Sequence, residues 1–235
     1  STDEIGAVAE GFNRMLQGLR DRERVKETFG KYVTPEIRDE ILSGRISGEG
    51  ELKEVTVLFA DIRDFTPWVE ATAPRDVVQD LNEYFTEMAE AIGRHHGLVL
   101  QFIGDEIEAV FGAPIASPEH ATHAVRAALD MRRRLRAWNV RREAAGKPVL
   151  RHGIGIHTGT VLAGNIGGGE RLSYALVGDP VNLASRIQGL TKNFEVDILI
   201  SEATRKSIDA TLTVEELSAV RVKGRAEEVN VYKVV

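Results

Sequence analysis

The order in which strand-like and helix-like patterns follow one another limits this chain more than any single residue does. After a polar stretch at residues 43–50, Val55-Thr56-Val57-Leu58-Phe59 reads as a short buried strand, and a helical pattern follows from about Pro74 to His96. The apolar runs at 98–103 and 107–111 flank Gly104-Asp105, which fits two strands around a tight turn better than one helix. Ser117-Pro118-Glu119 opens a second amphipathic helix, carried by Ala121, Ala124, Val125, Ala128, Leu129 and Leu135 and ending near Gly146. Strand-like runs return at 153–157 and 172–177, a helical stretch runs from about Pro180 to Leu190, and further strands fall near 196–200, 219–222 and 229–232. This βαββαβ order with C-terminal additions predicts an α+β fold, a ferredoxin-like sandwich with a mainly antiparallel sheet and helices on one face.

Ahead of that domain, Ile5, Val8, Phe12, Met15 and Leu19 recur at alternating steps of three and four, a heptad-like seam that requires a partner helix. Residues 20–27 are charged almost throughout, as in a helix that connects packed elements. Thr34-Pro35-Glu36 supplies a cap, a proline at the first helical position and an acid in the first turn, opening a short helix through Leu42. The expected division is therefore a coiled-coil helix at 1–20, a linker and junction at 21–50, and a compact domain at 51–235.

Composition narrows the function classes. The formal charge of −6 and pI near 5.6 provide no diffuse attraction to nucleic acid, so nucleic acid is not an expected partner and any phosphate ligand needs a local site. The absence of cysteine excludes disulfides and thiolate metal sites. No apolar run reaches the roughly 18 residues needed to span a bilayer, and the N-terminus lacks a signal-peptide pattern. The basic run Arg132-Arg133-Arg134-Leu135-Arg136 reads as the solvated face of an amphipathic helix. His95 and His96 are adjacent and lack the i, i+4 spacing of helical metal ligands, and His157 reads as a packing residue.

Two aspartates carry most of the chemical signal. Asp61 ends the first strand and Asp105 sits in the turn between the next two, so a central antiparallel pairing brings both carboxylates to one rim of the sheet. Hard oxygen ligands converging there suit magnesium or manganese together with substrate phosphates. Each aspartate would equally serve as the cap of a helix or turn, and spacing alone does not separate these readings.

Three segments, Phe59-Ala60-Asp61-Ile62-Arg63-Asp64-Phe65-Thr66, Phe102-Ile103-Gly104-Asp105 and Gly178-Asp179-Pro180-Val181-Asn182-Leu183-Ala184-Ser185-Arg186, resemble signature segments of the class III adenylate and guanylate cyclases, in the same order and spacing. Val222-Lys223-Gly224-Arg225 resembles a fourth. The resemblance implies conversion of a purine nucleoside triphosphate, ATP or GTP, to its 3′,5′-cyclic monophosphate and pyrophosphate. It implies two Mg2+ or Mn2+ ions per site held by Asp61, Asp105 and the Ile62 carbonyl, with one ion activating the ribose 3′-hydroxyl and the other holding the triphosphate. It assigns Asn182 to orienting the ribose, Arg186 to the charge developing on the α-phosphate, Lys223 to the terminal phosphates, and Phe65 and Thr66 to the substrate pocket. It further implies a head-to-tail homodimer in which the metal half and the Asn182–Arg186 half of each site come from different subunits. The segment 164–169 resembles the dimerisation arm, a flexible hairpin tip being the alternative.

The base-reading positions depart from the family pattern. They carry Gln101 and Ala175, where adenylate cyclases usually present lysine with aspartate or threonine, and guanylate cyclases glutamate with a small or thiol residue. A carboxamide donates and accepts, so Gln101 suits either purine after rotation. ATP is favoured slightly, because adenylate cyclases are commoner among bacterial-type members. Asp3-Glu4-Ile5-Gly6 with Phe12-Asn13-Arg14-Met15 resembles the second helix of a HAMP domain, which implies the cytoplasmic output end of a membrane receptor whose anchor lies in a missing N-terminal region. The competing reading is a catalytically silent nucleotide sensor of the same fold. A diguanylate cyclase does not fit the turn Ile103-Gly104-Asp105-Glu106-Ile107, and a histidine kinase would need a histidine before His95 and a glycine-rich ATP lid.

Overall fold

The protein was analysed as a computed structural model, which describes residues 50–168, 171–221 and 228–235. The coiled-coil seam, the charged linker, the short helix opened by Thr34 and the phosphate-clamp position Lys223 lie outside the described residues. The elements run β1 (Glu51–Ile62), α1 (Phe65–Glu70), α2 (Pro74–Arg94), β2 (Gly97–Ile103), β3 (Glu106–Phe111), α3 (His120–Ala144), β4 (His152–Gly168), β5 (Arg171–Val177), α4 (Asp179–Asn193), β6 (Ile198–Ser201), α5 (Glu202–Ser207), β7 (Val214–Glu216), β8 (Val220–Arg221), β9 (Glu228–Val229) and β10 (Val231–Val234).

Seven strands lie in the order β2-β3-β1-β4-β6-β10-β7, with β5 pairing to β4, and β8 and β9 form a separate ribbon. The first four are antiparallel throughout, which is the ferredoxin-like order produced when two βαβ crossovers interleave. Among the described strands, β4 and β6 form the parallel pair. β1 carries a continuous buried run from Val55 to Ala60, without the alternation expected of a half-exposed strand.

The reason is that both faces of the sheet are covered, which corrects the expectation of helices on one face. Leu58, Ala60, Ile62, Ile107, Phe111, Ile154 and Ile156 point into a core shared with Tyr84, Met88 and Ile92 of α2 and Val125, Ala128 and Met131 of α3. Leu183 and Ile187 of α4 instead pack with Leu199, Val229 and Val231. Leu199 is flanked by Ile198 and Ile200, which join the first core, so α4 occupies the opposite face. Its close seat depends on Gly155, where a Cβ would fall 2.1 Å from the backbone N of Gln188.

Several boundaries differ from the sequence expectation for local reasons. α3 begins at His120 with no side-chain cap, after the Ser117-Pro118-Glu119 stretch that was expected to open it. β4 continues through Gly164 to Gly168, paired with β5 from Leu162↔Val177 to Gly168↔Arg171, where a hairpin tip was one expectation. The helices α1 and α5 and the strand β7 are too short for a periodic signal. The basic run on α3 is exposed at Arg133 and Arg136 and partly buried at Arg132 and Arg134: Arg134 contacts Glu87 and Glu90 of α2 at 2.9 and 3.0 Å, Arg133 bonds Asp130, and Arg132 donates to the Val234 carbonyl.

Candidate active site

Antiparallel pairing of β1 with β3 and of β2 with β3 places the end of β1 beside the β2–β3 turn. Gly104 takes φ 64 in that turn, a left-handed conformation that an L side chain resists, and this delivers Asp105 to the rim. The carboxyls of Asp61 and Asp105 are in hydrogen-bond contact. Burial pushes Asp61 up from 3.8 to about 7, reinforced by the hydrogen bond with Asp105 and by the charges of Asp105 and Glu106, and opposed by the Ile62 backbone amide. Two carboxylates held side by side at a sheet rim are a donor set that fits a divalent metal ion with oxygen preference. Among the described residues no cluster of three or more His, Asp or Glu side chains forms a metal cage, so further ligands would come from backbone, water and substrate.

Beside the pair lies a buried tyrosine–histidine contact. Tyr84 is fully buried, its hydroxyl 3.1 Å from Nδ1 of His152, and His152 pairs across the sheet with Ile62. Burial, and then the charges of Arg63 and Arg132, push His152 down to about 3, so its ring is neutral at ordinary pH. Arg63 follows Ile62 and donates to the carbonyls of Thr191 and Val196, tying the end of β1 to the C-terminal end of α4.

The remaining expected residues separate into distinct places. Phe65 is partly buried against the main core with its ring 5.7 Å from Trp68, and Thr66 is exposed. On α4 the buried stripe is Leu183, Ala184, Ile187 and Thr191, which leaves exposed Asn182 and half-buried Arg186 one turn apart on the side away from the sheet. Asn182 also precedes Thr191 by nine residues, about 13 Å of helix, and Thr191 is the residue that meets Gly153, the cross-strand partner of Asp61. Within one chain Asn182 and Arg186 therefore face away from the carboxylate pair. Gln101 and Ala175 are likewise apart: Gln101 maps through Glu108 and Phe59 to Gly155 of β4, whereas Ala175 pairs with Gly164, about 30 Å of strand further on.

Two carboxylates were not singled out by the sequence reading. Glu106 adds negative charge beside Asp61, and Glu108 accepts a hydrogen bond from Nε2 of Gln101 at 2.6 Å. The available signal was their period-two spacing after Asp105, which sets them on one face of a strand otherwise occupied by Ile107, Ala109 and Phe111.

Comparison with known proteins bears on the whole arrangement. The family model for the adenylate and guanylate cyclase catalytic domain matches residues 49–235. The chain is 40% identical over 223 residues to adenylate cyclase 1 of Rhizobium meliloti (strain 1021), covering 94% of this chain and 34% of that relative, so it spans about a third of the length of the curated relatives it matches. Among solved structures, it is similar to the guanylyl cyclase Cya2, with 36% identity, TM-score 0.74, and coverage of 79% of this chain and 93% of that one. It is also similar to the adenylyl cyclase CyaB from P. aeruginosa, with 32% identity, TM-score 0.73, and coverage of 79% and 95%. A bacterial light-regulated adenylyl cyclase aligns over 94% of this chain and 63% of its own, with 30% identity and TM-score 0.80. With the motifs, the strand order and the rim carboxylates all in agreement, the chain belongs to the adenylate and guanylate cyclase family through its catalytic domain.

Proposed function

We propose that this domain converts a purine nucleoside triphosphate, ATP in preference to GTP, to the 3′,5′-cyclic monophosphate and pyrophosphate at the interface of a homodimer. The observation that carries this reading is the contact between Asp61 and Asp105, with Asp61 pushed up to about 7 by burial and by its carboxylate neighbours. Asp61, Asp105 and the Ile62 carbonyl would hold two Mg2+ or Mn2+ ions, which when bound supply charge neutralisation for the triphosphate and acidify the ribose 3′-hydroxyl.

The chain's own residues then act by position. Arg186 stabilises negative charge developing on the α-phosphate, Asn182 fixes the ribose, and Lys223 clamps the terminal phosphates. Because Asn182 and Arg186 lie on the α4 face turned from the sheet, they serve the site of a second copy, and a monomer lacks a complete site. Phe65 and Thr66 border the substrate, and Gln101 and Ala175 face the base. The preference for ATP is supported by the 40% identity to a relative named adenylate cyclase 1.

The heptad seam and HAMP-like segment at 1–20, with the linker at 21–50, are read as a relay that couples a membrane-anchored receptor to this cytoplasmic domain. Among the described residues no helix is long and apolar enough to cross a membrane. Deleting residues 1–30 is expected to alter basal activity or dimerisation; a deletion that leaves both unchanged removes the relay. The reaction itself is tested by incubating the protein with ATP or GTP and Mg2+ or Mn2+ and resolving cyclic AMP from cyclic GMP. Metal-dependent product that disappears in Asp61→Ala is the expected result, and no product from a demonstrated dimer would contradict it.

A further inference from the structure

Glu108 is a carboxylate where folding alone asks for an apolar side chain. Its neighbours on β3, Ile107, Ala109 and Val110, are fully buried, and Glu108 itself is only 6% exposed. Among the described residues it has no ion-pair partner, and its hydrogen bond comes from Gln101. A carboxylate withdrawn from water without a cation destabilises a fold, so its use lies elsewhere. Burial raises its pKa, and the Gln101 hydrogen bond works against that rise.

Gln101 and Glu108 are direct cross-strand partners, placed by a register shift between Val99 and Gln101, with the amide exposed and the carboxylate beneath it. A free glutamine amide rotates and offers either a donor or an acceptor. Here Nε2 of Gln101 donates to Glu108, which holds Nε2 toward the carboxyl and turns Oε1 away.

We propose that Glu108 is a positioning residue for base selection: it fixes the polarity of the Gln101 amide, so that the pair, and not Gln101 alone, decides which purine is accepted. This rests on the reading of Gln101 as a base-facing residue. Adenine offers an amino group beside an acceptor nitrogen, and guanine offers a carbonyl beside an N–H, so the two edges have opposite polarity. An amide of fixed polarity matches one and meets the other with like poles, whereas a freed amide turns to suit both. A polar group fixed against the wrong partner discriminates strongly, because the mismatched atoms are left unpaired.

The test is kcat/KM for ATP and for GTP in the wild-type protein, Glu108→Gln, Glu108→Met and Gln101→Ala, each checked for a cooperative melt. The near-isosteric Glu108→Gln serves if Glu108→Met does not fold. The wild type is expected to prefer one nucleotide by about tenfold or more. Both Glu108 variants should bring the ratio toward unity, with kcat/KM for the disfavoured nucleotide rising while that for the favoured one falls. A purely structural role would lower both values by the same factor, and that result overturns the proposal, as does a wild type indifferent to the base. If Gln101→Ala changes the ratio and the Glu108 variants do not, the lock is wrong and the base-facing reading of Gln101 stands. If neither changes it, both fall together.

Discussion

Asp80 and Asp61 are two acids of one small domain, held in opposite ways. Asp80 of α2 is 2% exposed and meets Arg142 at 2.8 Å and Lys147 at 2.6 Å. Burial acts to raise its pKa, but hydrogen bonds and charge from those two cations win and hold it below the usual carboxylate value. Arg142 is itself 3% exposed, donates to the Pro148 carbonyl and lies 4.6 Å from the Trp138 ring. Asp61 is surrounded by Asp105 and Glu106, and its proton affinity rises instead. The first cluster sets its buried acid between two cations, so it serves stability. The second sets carboxylates against one another, so it holds the unfavourable electrostatics typical of functional sites.

The largest effect should come from breaking the incomplete cluster. Asp61→Ala and Asp105→Ala should each lower turnover by on the order of a thousandfold, without lowering the melting temperature of the metal-free protein, because each removes a source of repulsion. A variant that melts well below wild type would make the pair a structural element. Asp80→Ala is the converse experiment: it leaves Arg142 buried without its acid and should destabilise folding by about 3–5 kcal/mol, measured by denaturant unfolding.

The two clusters should also respond oppositely to pH. The folded state holds a proton on Asp61 up to about pH 7, against 3.8 for the ordinary carboxyl. Its contribution is therefore full below about pH 4 and is lost as pH rises through 7. The contribution of Asp80 is present above the unfolded carboxyl value and is lost only as pH falls through its depressed folded value. Melting in EDTA between pH 5 and 8 should show the Asp61 slope, which Asp61→Asn removes and Mn2+ opposes. Unchanged slopes in Asp61→Asn would place the titration elsewhere.

A smaller effect concerns a buried polar chain apart from both clusters. Thr56 is fully buried, with Oγ1 2.8 Å from Nδ1 of His120 and 2.8 Å from Oγ1 of Thr158, which continues to Thr204. Thr56→Val should cost about 1–3 kcal/mol by taking away the Thr56 partner of His120 Nδ1 and leaving Thr158 with Thr204 alone, with turnover per folded molecule unchanged. Loss of activity in a fully folded variant would bring this chain into the catalytic account.

The sequence made the hydrophobic skeleton legible, because β1, α2, the β2–β3 hairpin and α3 each carry a clear period. It did not show which face α4 covers. The unbroken run Val55 to Ala60 held that information, since a strand without alternation is buried on both sides. Gly164 to Gly168 left a flexible hairpin tip as the alternative to a dimerisation arm because glycine weakens strands, whereas the backbone ladder with β5 is a property of pairing that composition does not reveal. Asp61 and Asp105 were recognisable from their signature segments. Glu108 was not, because its meaning depends on the cross-strand register that sets it under Gln101.

The claim that the site is divided between two copies is tested most directly by mixing two inactive proteins. Asp61→Ala lacks the metal half of every site, and Arg186→Ala lacks the α4 half. Co-refolded or coexpressed, they form heterodimers in which one site draws Asp61 and Asp105 from one chain and Arg186 from the other. Cyclic nucleotide production should reappear on mixing, at about a quarter of the wild-type rate, given random pairing and one intact site per heterodimer. A mixture that forms heterodimers and remains inactive would contradict the divided site.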